Sequence, residues 1–62
     1  MLTNAEKIAR LRMAIDSLKD ADAWVAAALG ADTDSYQFTQ VHIEHVIDDL
    51  KDDIAELDSQ RK

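Results

Sequence analysis

The chain contains no cysteine, no proline and a single glycine, Gly30, in 62 residues. Without cysteine, disulfides and thiolate zinc sites are excluded as staples for a small fold. With no proline and one glycine, the chain can turn sharply only near residue 30. No apolar run approaches the roughly 20 residues that span a bilayer, so no membrane partner is expected. The opening Met1-Leu2-Thr3-Asn4-Ala5-Glu6 lacks the basic and apolar segments of a signal peptide. A cytoplasmic location is the expectation. Positive charge is also scarce. The formal net charge is −6 and the pI is about 4.5. A phosphate backbone attracts the opposite sign, so nucleic acid is not an expected partner. There is no nucleophile–histidine–acid arrangement and no phosphate-cradling glycine loop. The chain is therefore not expected to be an enzyme or to hold a cofactor.

What is present is helical periodicity. The apolar share of 47% is too high for disorder. Thr3-x-x-Glu6 has the form of a capping box. Beyond it, Ile8, Leu11, Ile15, Leu18, Val25 and Leu29 recur at spacings of three and four, a heptad seam with one gap. The gap is Asp22. Ala14, Ala21 and Ala28 repeat every seven residues along the seam's edge, where small side chains admit a neighbouring backbone. Leu29-Gly30-Ala31 fits a helix stop with Gly30 in the left-handed conformation. After it, Asp32-Thr33-Asp34-Ser35 offers several N-caps, of which Asp34, with Gln37 three residues on, is preferred. The second seam reads Tyr36, Gln40, Ile43, Ile47, Leu50, Ile54, Leu57, with Val46 flanking. The expected fold is all-α, an antiparallel hairpin with helices over roughly 4–29 and 34–60 and a turn at about 30–33. A frayed tail, Ser59-Gln60-Arg61-Lys62, should follow. The whole of 1–62 forms one domain.

Charge placement supports the hairpin. Before Gly30, four bases (Lys7, Arg10, Arg12, Lys19) balance four acids (Glu6, Asp16, Asp20, Asp22). The entire excess of acid follows the glycine. Folding back brings Lys7, Arg10 and Arg12 alongside Asp52, Asp53, Glu56 and Asp58. In this register Ile8 lies near Ile54, Ile15 near Leu50 and Leu18 near Val46. Each exposed pair contributes about 0–1 kcal/mol, but the pattern disfavours a parallel arrangement.

The half of the hairpin near the turn is apolar nearly all round. Ala21, Trp24, Val25, Ala28, Phe38, Val41 and His45 form the candidate interface. Exposed aromatic patches mark interaction sites. One seam buries little for a chain this short, and oligomerisation is the staple that remains. The expected assembly is a homodimeric four-helix bundle, with a tetramer as the larger alternative. Asp22 has two readings. It is either turned to solvent at the seam margin or joined with Gln40 in a buried polar layer that fixes register.

Two further patterns resemble known chemistry. His42, His45 and Asp49 lie on one helical face, and two imidazoles with a carboxylate can bind zinc, iron or nickel. One helix supplies few ligands in a closed geometry, so the packing of His45 beside Phe38 and Val41 is the preferred account. Asp48-Asp49-Leu50-Lys51-Asp52 resembles the Asp-Asp-x-x-Asp magnesium–diphosphate motif of prenyltransferases. Those enzymes need a large helical cavity, whereas here Leu50 belongs to the seam and the aspartates to a solvated face. In length and architecture the chain is similar to RNA-binding plasmid copy-number regulators that dimerise into four-helix bundles, and to hairpin co-chaperones of secretion needles. Neither resemblance rests on a motif. The leading expectation is a non-enzymatic protein–protein interaction module, binding itself and a further protein. The alternatives are an acidic regulator occupying a basic surface of its partner, and a metal-binding bundle using His42, His45 and Asp49.

Overall fold

The computed structural model describes residues 1–60; Arg61 and Lys62, the end of the expected tail, lie outside the described residues. Two helices, α1 (Asn4–Leu29) and α2 (Asp34–Ser59), fold back on each other as a hairpin. Each has 26 residues, which at 1.5 Å per residue gives about 39 Å. The long dimension of the molecule is 44 Å and the two others are 15 and 14 Å. None of the helices of the described residues is long and apolar enough to cross a membrane.

α1 begins as its sequence requires. The Thr3 hydroxyl accepts from the Glu6 N–H at 3.1 Å, and the Glu6 carboxylate accepts from the Thr3 N–H at 3.1 Å. This capping box satisfies two donors that the first turn would leave open. The bond from the Thr3 backbone is the main cause holding the Glu6 carboxyl below its ordinary range.

The turn differs from expectation in two respects. Gly30 has φ of 91°, but its ψ of 128° is extended and not left-handed helical. Only glycine enters this region at little cost. Its N–H closes α1 by donating to the Ala26 carbonyl at 2.8 Å. The N-cap of α2 is Thr33, and Asp34 is the first helical residue. Thr33 prevails because its hydroxyl serves both sides of the turn. It donates to the Gly30 carbonyl at 2.8 Å and accepts from the Tyr36 N–H at 3.2 Å. The Thr33 N–H also donates to the Gly30 carbonyl at 3.1 Å, closing a four-residue turn. Asp34 keeps the favourable placement of an acid in the first turn.

The seam follows the heptad pattern. Ile8, Ile15, Tyr36 and Ile47 are buried. Leu11, Leu18, Asp22, Val25, Gln40, Ile43, Leu50, Ile54 and Leu57 are half-buried around them. The exception is Leu29, which is exposed where the chain leaves α1. At the open end, Lys7, Arg10 and Leu11 share a groove with Asp53, Glu56 and Leu57. The basic start of α1 thus runs beside the acidic end of α2.

The packing is thin. Among the described residues no side chain is completely enclosed. The radius of gyration is 14.2 Å, against about 11 Å for a globular domain of this length. The accessible surface is 4750 Å², against about 4,000 Å² for a folded monomer of this mass.

The turn chemistry sets two expected outcomes in urea or thermal melts. Gly30→Ala should lose about 1–3 kcal/mol, because the backbone conformation is glycine's own. A Cβ there would also meet Thr33 Cγ2 at 3.3 Å and Asp32 Oδ1 at 3.4 Å. Thr33→Val should lose about 1 kcal/mol with the cap, whereas Thr33→Ser should keep most of it. Equal melting of Thr33→Val and the parent would show that the hydroxyl holds nothing.

Candidate functional site

Asp22 is a half-buried acid in the seam. Its seam position brings the carboxylate inside the angle between the helices, and Tyr36 reaches back from the third position of α2. The Tyr36 hydroxyl donates to Asp22 Oδ2 at 2.9 Å. The partner of Asp22 is therefore Tyr36, not Gln40, which is half-buried one turn further along α2. The sequence left a choice between solvent and a polar layer; the structure shows a half-buried carboxylate in a two-membered contact. The other oxygen, Oδ1, is buried and has no hydrogen-bond partner. Such an orphaned acceptor costs stability. The phenol is itself perturbed. Burial, first, then the bond to Asp22 and the negative charges of Asp22 and Glu44 push the Tyr36 hydroxyl up from its ordinary value.

The candidate interface residues do not form one patch. Trp24 is 77% exposed, Phe38 70% and Val41 64%. Ala21, Ala28 and His45 are exposed, and Val25 is half-buried in the seam. At about 100° per residue, Trp24 lies about 150° from the centre of the α1 seam. Phe38, Val41 and His45 lie about 140–200° from the centre of the α2 seam. Trp24 and the Phe38–Val41 pair thus occupy the outer edges of opposite helices, separated by the width of the hairpin. The apolar character near the turn is real, but within one chain it is distributed around the molecule.

The histidines also depart from expectation. His42, not His45, packs against Phe38, edge to face, with ring centroids 4.8 Å apart and planes at 72°. Among the described residues no group of three histidine, aspartate or glutamate side chains converges on a point that could hold a metal. His42, His45 and Asp49 share a face of α2, yet one chain does not assemble them into a site.

Comparison with known proteins adds no assignment: no family model, no curated protein and no solved structure matches the chain.

The Asp22–Tyr36 contact generates a pH-dependent outcome. Tyr36 has a raised folded-state pKa, so its stabilisation is whole below the ordinary tyrosine value of 10.0 and is lost as pH rises through the higher folded value. Melting temperature should fall as pH climbs through that alkaline window, and Tyr36→Phe should flatten the fall. The chain has one tyrosine, so tyrosinate absorbance reports this group alone. At neutral pH, Tyr36→Phe should melt earlier than the parent because it strands Asp22. The double variant Asp22→Leu, Tyr36→Phe should recover the loss by making the layer apolar. A double variant no more stable than Tyr36→Phe alone would contradict this account.

Proposed function

We propose that the chain is a non-enzymatic protein–protein interaction module whose first partner is a second copy of itself, the pair forming a four-helix bundle. The observation that carries this reading is the surplus of exposed surface. The hairpin exposes roughly 750 Å² more than a folded monomer of its mass. Trp24, Phe38, Val41, Met13 and Val46 are among its exposed large apolar side chains. Surface of this kind is normally covered in the working state of a protein. A pair of faces on one hairpin leaves one free for a different protein after self-association.

A second reading is supported by the acids of α2. Asp48, Asp49, Asp52, Asp53 and Glu56 are all exposed. An acidic regulator would use this array to occupy a basic surface of its partner. Its mark would be capture of a basic protein that is lost as salt is raised.

The leading reading is tested by mass and by fluorescence. Sedimentation at micromolar concentration should give at least twice the 6.9 kDa of one chain. Trp24 is the sole tryptophan, and in one hairpin it stands largely in water. Its emission should shift to the blue as concentration rises and return to the red on dilution. A folded species of single-chain mass, with unchanging red emission, would overturn the proposal.

A further inference from the structure

The two long faces beside the seam are chemically unlike. On one side, Lys19, Asp22, Glu44, Asp48 and Lys51 line a shared groove. The other side begins at the open end with Lys7 and Arg10 from α1 and with Asp53 and Glu56 from α2. Towards the turn it changes character. At about 100° per residue, the α1 positions on this side are Ala14, Ser17, Ala21 and Ala28, with Trp24 at the outer edge about 20° beyond Ser17, and the α2 positions are Thr39, His42 and Val46. None carries a formal charge at neutral pH. Val46, at 45% exposed, is the largest aliphatic side chain among them.

We infer that a second copy of this chain covers this uncharged face, with both turns at the same end of a four-helix bundle. The inference rests on the self-association proposed above and specifies its surface and orientation. Charge decides the orientation. A two-fold axis parallel to the helices sets α1 of each copy against α2 of the other. The bases Lys7 and Arg10 then face the acids around Asp53 and Glu56 of the second copy. The uncharged halves meet each other, with Ala14 and Ala21 opposite Val46 and Thr39. With the turns at opposite ends, the uncharged half would instead lie on charged residues and desolvate them, which is unfavourable. Area does not oppose it. A stable interface takes about 800 Å² from each partner, and the whole molecule exposes roughly 750 Å² more than a compact monomer of its mass.

The absence of cysteine makes cross-linking clean. Chains carrying Ala21→Cys and Thr39→Cys are prepared separately, mixed, and treated with a short bismaleimide. The mixture should give a heterodimer in high yield. Mixtures of Lys19→Cys with Glu44→Cys, on the charged face, should not. Val46→Asp changes an exposed side chain and should weaken association at least tenfold while helicity persists. A single-chain mass for the parent overturns both the self-association and this arrangement. A parent dimer in which the Ala21–Thr39 pair fails to couple overturns the arrangement alone. So does preferential coupling of Ala21→Cys to Arg10→Cys, because turns at opposite ends would set α1 of one copy against α1 of the other.

Discussion

A pair of helices offers each other one stripe of side chains, and α1 and α2 fill that stripe along its length. Ile8, Ile15, Tyr36 and Ile47 are the only residues the described chain buries. The remaining apolar seam side chains, apart from the exposed Leu29, keep an edge in water. A third layer would be needed to enclose them, and the two helices of the described residues do not supply it. Conformational entropy must still be met for every ordered residue, at about 1–2 kcal/mol for the backbone alone. The thin core, the long shape and the exposed aromatic residues are three expressions of that one geometric limit.

Within the limit, the turn end is the best-determined part. Thr33 bonds to both sides of the reversal, and Tyr36, three residues on, ties α2 back to Asp22 on α1. At the open end, the groove walls are long charged side chains around Leu11 and Leu57. The side-chain hydrogen bond from α2 to α1, Tyr36 to Asp22, thus lies near Gly30, whereas charged side chains of opposite sign line the far end. The polarity of the hairpin follows from where short polar residues with fixed geometry occur and where flexible charged ones do.

Much of this was legible in the sequence. The heptads, the capping box at Thr3 and the stop at Gly30 depend on local spacing, and local spacing is what a helix reads. Sequence favours Asp34 as the cap of α2, one residue beyond Thr33, because the two are equivalent as acceptors there. Only the folded turn shows that Thr33 can also donate to Gly30. The Asp22 partner was missed for a similar reason. By periodicity Tyr36 is an apolar seam residue, and spacing alone does not carry its hydroxyl across to the gap it faces. A useful signal was present: one seam carries a carboxylate and the other a phenol near the same turn. Trp24 and Phe38 are close in sequence to the turn yet point outward from different helices. Periodicity gives each helix its faces, but only the pairing of the two decides which faces become neighbours.

The contact between Tyr36 and Asp22 spans a separation of 14 residues. Closing a loop of that size carries a small entropic penalty, which grows only logarithmically with length. Contacts nearer the termini enclose most of the chain and are expensive to make first. Once Tyr36 meets Asp22, each following pair along the seam closes only the short remaining gap left by its predecessor. Loop-closure entropy therefore favours assembly outward from the reversal, like a zip fastened at one end. Contacts of low sequence separation favour rapid folding, and here the order of events is written into the distance of each residue from Gly30.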